Sequence, residues 1–248
     1  MKTVILAAGY ATRLYPLTEN KPKALLPIGS KPLIDHLADK IAAIREPNDV
    51  VLVTDDRFAR QFEEWAQKSR LPSRPRVLND GTTSNDNRLG AVGDLDFAVR
   101  KAGLKDDLLV LASDNLFDGS LADFAVFARA NKGAAIGVYD IKDPALGAKR
   151  YGMVTLDGTG RITAIDEKPD HPRTRFASMG IYYFPASSLG FIREYLASPD
   201  KKDAPGYYAT WLLGKMPVYG HVFRGRWYDI GSIDQLEEAG REYERAPA

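Results

Sequence analysis

Short apolar runs alternate with amphipathic stretches along the first half of the chain. Residues 4–8 read as a buried strand, and a polar loop with Pro16, Pro22, Pro27 and Pro32 follows. Ile34, Leu37, Ile41 and Ile44 then recur at three- and four-residue spacing, which predicts an amphipathic helix. The alternation continues with a strand at 50–53, a helix at about 57–69 and a short strand at 76–78. A Gly/Thr/Ser/Asn/Asp loop at 79–88 leads to a helix lined by Val92, Leu95 and Val99. A continuous apolar strand at 108–112 precedes a helix with Leu121, Phe124, Ala125 and Ala128 on one face. Strands alternating with helices predict right-handed βαβ units and a mostly parallel sheet.

After about residue 134 strands dominate. Residues 134–139, 151–156, 162–165, 176–184 and 218–223 read as strands, and Asp157-Gly158-Thr159-Gly160 marks a hairpin between the second and third. Helices are predicted at 188–197, at 207–215 and at the end of the chain, where Ile233, Leu236 and Tyr243 face inward. No linker-like tract interrupts the 248 residues. The expectation is therefore one α/β domain over 1–248, with a Rossmann-like mixed sheet flanked by helices and an added β-rich lobe.

Composition narrows the chemistry. The 34 Lys and Arg nearly cancel the 33 Asp and Glu, which removes the basic footprint of a nucleic-acid binder. With no Cys, disulfides, thiolate catalysis and Cys-ligated metal are excluded. His36, His171 and His221 are too scattered for a local metal site, so any metal sits on oxygen ligands. The first apolar run stops at Gly9, and no segment reaches the roughly 18 residues of a membrane span. A cytoplasmic protein with neither nucleic-acid nor membrane partners is expected.

Chemistry concentrates where the first strand runs out. Leu6-Ala7-Ala8-Gly9-Tyr10-Ala11-Thr12-Arg13-Leu14-Tyr15-Pro16-Leu17-Thr18 leads through Lys21-Pro22-Lys23-Ala24-Leu25-Leu26-Pro27 to Lys31-Pro32. Small residues let backbone approach a ligand, free N–H groups in such a turn attract anions, and Arg13 and Lys23 add positive charge. The stretch matches neither the phosphate loop GxxxxGK[ST] nor the dinucleotide fingerprint GxGxxG.

It resembles the signature of the sugar-1-phosphate nucleotidyltransferases, the glucose-1-phosphate thymidylyl- and uridylyltransferase family, with Ala11 in place of a usual glycine. The resemblance implies that Leu6, Ala7, Ala8, Gly9 and Thr12 hold a nucleotide, and that Arg13 and Lys23 grip its triphosphate. Leu109-Val110-Leu111-Ala112-Ser113-Asp114-Asn115 is similar to the family's strand-end aspartate segment, with Ser113 for glycine. Trp227-Tyr228-Asp229-Ile230-Gly231 is similar to its W-x-D-x-G segment, so Asp114 and Asp229 are implied as a Mg²⁺ pair. Tyr151-Gly152, Glu167-Lys168-Pro169 and Gly180 resemble the segments that bind the sugar phosphate. Asn79 and Gly90 border the implied nucleobase, where Asn79 would meet a pyrimidine edge.

The implied reaction joins an NTP to a sugar 1-phosphate, with Arg13, Lys23 and Asp114 as catalytic residues and Mg²⁺ as cofactor. Residues 1–133 would form the nucleotide half, 134–225 the sugar lobe and 226–248 the segment carrying the second metal aspartate. A homo-oligomer is compatible with the sequence. A cytidylyltransferase for an alcohol phosphate is the nearest alternative, because the N-D…N loop at 79–87 fits that class too. A catalytically dead scaffold subunit is the alternative of a different kind, and the joint presence of Arg13, Lys23, Asp114, Lys168 and Asp229 opposes it.

Overall fold

The computed structural model describes residues 1–46, 48–199 and 204–244. Its N-terminal half runs β1 (Lys2–Leu6), β2 (Pro27–Ile28), β3 (Lys31–Pro32), α1 (Leu33–Ala42), β4 (Val50–Thr54), α2 (Ala59–Lys68), β5 (Arg76–Asn79) and α3 (Ala91–Ala102). Then come β6 (Leu108–Ala112), β7 (Asn115–Phe117) and α4 (Leu121–Ala130). The second half comprises β8 (Ala134–Asp140), β9 (Gly152–Leu156), β10 (Ile162–Glu167), β11 (Phe176–Phe184), α5 (Leu189–Ala197) and α6 (Pro205–Leu212). It closes with β12 (Val218–Phe223), β13 (Trp227–Asp229) and α7 (Ile233–Glu244).

The expected alternation is present, with informative differences. The first strand ends at Leu6 rather than running to residue 8, which releases Ala7, Ala8 and Gly9 into a loop. The helix expected at 207–215 starts at Pro205, a residue suited to a first helical position because its missing N–H has no helical partner there. The two three-residue strands β7 and β13, absent from the sequence reading, pair with each other.

A mixed nine-stranded sheet runs β10-β9-β11-β6-β1-β4-β5, with β8 joining β11 to β12. The β6-β1-β4-β5 pairs are parallel, whereas β11 is antiparallel to its neighbours. β11 ties the halves together: Phe176 and Ala177 pair with β9, and residues 181–184 pair with β6. Its register against β8 shifts between Ser178 and Tyr182, and Gly180 takes φ +70° inside this irregularity. A side chain at Gly180 would crowd Ala112 and Asn115, so that bulge selects glycine on two grounds.

Helices cover both faces. Ile34, Leu37, Phe62, Trp65, Leu121 and Phe124 from α1, α2 and α4 fill one layer. Val92, Leu95, Ile192, Tyr195, Tyr208 and Leu212 from α3, α5 and α6 fill the other. A third cluster of Leu14, Leu26, Ile28, Leu33, Leu116, Ile230 and Ala239 packs the N-terminal loops against β7 and α7. Each such side chain contributes about 1.5–3 kcal/mol on burial. The last cluster therefore anchors the N-terminal loops to β7 and α7.

One buried carboxylate is unfavourable. Asp55, fully buried at the end of β4, accepts the Phe58 amide through one oxygen (3.1 Å), while its other oxygen has no partner. Burial and then the nearby Asp80 charge push Asp55 up to about 6 from 3.8. A carboxyl raised in the fold destabilises the protein once ionised: the cost builds as pH rises from the unfolded value through the folded one. Asp55→Asn keeps the Phe58 contact and removes the charge. At about 1.36 kcal/mol per unit, discounted for relaxation to roughly 2 kcal/mol, it is expected to raise Tm by about 4–8 °C at pH 7.5. The gain fades as pH falls from about 6 towards 3.8, and thermal unfolding across this range checks it. A pH-independent change would show that Asp55 carries no such cost.

Candidate active site

The parallel strands β1 and β6 end side by side, and the ladder continues one step past them: Ser113 N–H donates to Leu6 O (3.1 Å) and Ala7 N–H to Val53 O (2.8 Å). Beyond these bonds the chain opens into loops at the carboxyl edge of the sheet, where open α/β folds place their ligands. Ala11 there takes φ 47°, ψ 41°, a left-handed conformation that glycine adopts freely and alanine only at a cost of about 1–2 kcal/mol. This is the physical reason for glycine in the resembled signature. Thr18 Oγ1 and Leu14 N–H both donate to Ala11 O and hold the turn.

Two adjoining cavities occupy this edge. The first, about 290 Å³, is lined by Leu6, Ala7, Ala8, Gly9, Lys23, Gly90, Asp94, Val110 and Asp114, among others. The second, about 330 Å³, is lined by Arg13, Asp114, Arg150, Gly152, Glu167, Lys168, Gly180, Asp229 and others. They share Ala112, Asp114, Gly180, Tyr182 and Pro205, so Asp114 stands at their junction.

The two aspartates, 115 positions apart in sequence, meet through the small sheet. Asp229 on β13 pairs with Asn115 on β7, the residue after Asp114, and Ile230 N–H donates to Asp114 O (3.0 Å). Burial and then the Asp114 charge push Asp229 up to about 6, against the pull of Lys23, Arg13 and Arg150. Two carboxylates held this way are a donor set for a hard cation. The ammonium of Lys23 presently lies 2.6 Å from Asp114 Oδ2. Among the described residues no cluster of three or more His, Cys, Asp or Glu could hold a metal alone. An ion here would complete its shell with phosphate oxygens and water, as Mg²⁺ usually does.

In the second cavity the Glu167 carboxylate is packed between two glycines. A Cβ on Gly152 would lie 2.8 Å from Glu167 Oε2, and one on Gly206 would lie 1.7 Å from it. Burial raises the Glu167 pKa above the usual carboxylate range, with Lys168 opposing. Ser178 Oγ is buried here without a hydrogen-bond partner among the described residues. Glu167 and Ser178 thus offer an acceptor and a hydroxyl to a polyol. Lys168 has left-handed backbone (φ 48°), pinned by donation of its N–H to Tyr151 O (3.1 Å).

Two expected residues stand elsewhere. Neither Thr12 nor Asn79 lines either cavity, and Asn79 bonds through its amide to the loop after β4 and to its own. Asn79 Nδ2 donates to Asp56 Oδ1 (2.7 Å), and its Oδ1 accepts the Gly81 amide (2.8 Å). Gly90 does line the first cavity, together with Arg88 and Asp94, which the sequence reading did not single out. Arg150 and Gly206 were also missed. Arg150 had one available signal, its place directly before Tyr151-Gly152.

An open α/β sheet with two adjoining cavities around paired carboxylates at its carboxyl edge places the chain among the open-sheet α/β ligand-binding proteins. The comparisons make this specific: the chain belongs to the nucleotidyl transferase family, whose model matches residues 2–246. It is 26% identical to the bifunctional protein GlmU of Methanocaldococcus jannaschii, over 97% of this chain and 54% of that protein. It is 30% identical to a putative mannose-1-phosphate guanyltransferase of Sulfolobus acidocaldarius, over 93% of this chain and 60% of that one. The chain thus spans little more than half the length of these relatives. A glucose-1-phosphate thymidylyltransferase of Mycolicibacterium smegmatis is 28% identical, with 96% and 81% covered. A UDP-glucose pyrophosphorylase solved with UDP-glucose shares the fold at TM-score 0.83 and 18% identity, covering 98% of each chain. No helix among the described residues is long and apolar enough to cross a membrane.

Proposed function

We propose that this chain transfers a nucleotidyl group from an NTP to a sugar 1-phosphate, forming an NDP-sugar and releasing pyrophosphate. The observation that carries this reading is the Asp114–Asp229 pair at the junction of two cavities, one walled by small backbone-exposing residues and the other by Glu167 and Lys168. The N-terminal half supplies the nucleotide cleft, residues 134–225 the polyol cleft, and the segment from 226 the second carboxylate. Family relatives named for thymidylyl and guanyl transfer support the reaction class.

An acceptor phosphate oxygen attacks the α-phosphorus in line, and the bond to the departing pyrophosphate breaks. The phosphate is already ionised at neutral pH, so no general base is needed. Alignment and charge neutralisation do the work. Mg²⁺ between Asp114 and Asp229 would supply Lewis-acid stabilisation of the triphosphate. Lys23 lies beside Asp114 and takes up charge on the nucleotide side. Arg13 lies close to Gly231, near enough that a Cβ there would sit 3.4 Å from its guanidinium, and its charge reaches Asp229. Gly152 and Gly206 hold Glu167 in place to accept from sugar hydroxyls.

One observation favours a second reading. Tyr139, Tyr151, Trp227 and Tyr228 line a cavity of about 320 Å³ beside Asp229, and aromatic walls suit the quaternary ammonium of an alcohol phosphate such as phosphocholine. The guanidinium of Arg150 already lies over Tyr151, which keeps the sugar reading first. Pyrophosphate release should be measured with ATP, GTP, CTP, UTP and dTTP against hexose 1-phosphates and phosphocholine. Strong release with a hexose 1-phosphate is expected. Activity confined to CTP and phosphocholine overturns the first reading, and no release from any pair overturns both.

A further inference from the structure

We propose that Arg150 is a catalytic residue that grips the acceptor's phosphate together with Lys168; this rests on the acceptor-phosphate reading above. Two strands of backbone are zipped together at this point. Lys149 N–H donates to Pro169 O (3.0 Å) and Lys168 N–H to Tyr151 O (3.1 Å). Arg150 and Lys168 are therefore near neighbours on paired backbone beside Tyr151-Gly152, and both line the second cavity. Arg150 is anchored further by donation of its N–H to Gly147 O (3.1 Å) at the end of a short 3₁₀ turn.

The side chain is held as a phosphate receptor should be. Its guanidinium carbon lies 5.0 Å from the Tyr151 ring centroid, and that ring lies 5.0 Å from Trp227. Trp227 Nε1 donates to Asn115 Oδ1 (2.8 Å), which fixes the aromatic shelf to the strand following Asp114. A guanidinium resting on a ring keeps its N–H edges available for two parallel hydrogen bonds to phosphate oxygens. Among the described residues Arg150 has no carboxylate within ion-pair distance, in contrast to Lys23 on Asp114. Arg150 also lines the aromatic cavity, so its far side faces open space rather than a partner. Lys168 offers a point charge, and Arg150 adds the direction that orients an attacking oxygen.

Steady-state pyrophosphate release by Arg150→Ala and Arg150→Lys tests this. The alanine variant is expected to raise KM for the sugar 1-phosphate by about 10–100-fold and to lower kcat, as loss of charged hydrogen bonds implies. KM for the NTP stays within about twofold, and millimolar guanidinium restores part of the lost rate. Lysine restores less than the native arginine, because it cannot bond in parallel. Equal effects on both substrates, or no guanidinium rescue, overturn the proposal. A second readout stands apart from turnover: inorganic phosphate titrated against tryptophan fluorescence. Trp227→Phe should silence the signal, and Arg150→Ala should weaken phosphate binding at least about tenfold. If no substrate pair reacts with the wild type, the reaction reading fails while this titration still decides the role of Arg150. Undiminished phosphate binding by Arg150→Ala refutes it.

Discussion

Asp114→Ala is expected to lower turnover by about 10³-fold at saturating nucleotide and Mg²⁺, with little change in Tm, because metal-borne charge stabilisation is worth several kcal/mol. The residue follows β6 rather than forming part of it, and its side chain is 28% exposed, so the fold does not depend on it. Its removal frees Lys23 and takes away the charge that helps raise Asp229. A calorimetric titration with Mg²⁺ in the presence of NTP gives a readout independent of turnover, and affinity should drop by at least about tenfold. Near-normal turnover would remove Asp114 from the metal pair.

Gly206→Ala is expected to have the next largest effect, and a more selective one. The added methyl would lie 1.7 Å from Glu167 Oε2 and 2.8 Å from its carboxyl carbon. On its other side the carboxylate packs so closely on Gly152 that a Cβ there would also lie 2.8 Å from the same oxygen, so Glu167 occupies a slot that two glycines leave open. The carboxylate must therefore leave its position. KM for the sugar 1-phosphate should rise by about 10–100-fold, the value of one or two charged hydrogen bonds, while KM for the nucleotide holds. A crystal structure of the variant would show Glu167 in another rotamer. An unchanged KM for the sugar phosphate would remove Glu167 from sugar recognition.

Much of the sheet could be read from periodicity, because β4, β6, β8 and β11 are apolar runs buried in a core. β7 and β13 escaped that reading since three residues carry no period; their pairing depends on contacts more than a hundred positions apart. The aspartates they bring together were legible only through resemblance to a family signature. Asn79 illustrates a different limit. Its type suits a base contact, but Asp56 and the Gly81 amide claim both ends of its amide, a competition no local pattern reveals. Gly206 gave no signal either, because its significance is a contact with Glu167, 39 positions earlier. Ala11 was flagged as a departure, and its positive φ supplies the cause.

The pairing of β7 with β13 also sets a temporal order. A chain emerging from the ribosome can assemble the β6-β1-β4-β5 layer early, since those strands lie within the first 112 residues. Domains fold as their residues become available. The first cavity also takes Gly180, Tyr182 and Pro205 into its wall, so it closes only after β11 has joined that layer, still ahead of residue 229. Only when residues 227–229 dock on β7 do both carboxylates stand together, so a chain cut short before residue 229 would hold its first cavity without the paired centre.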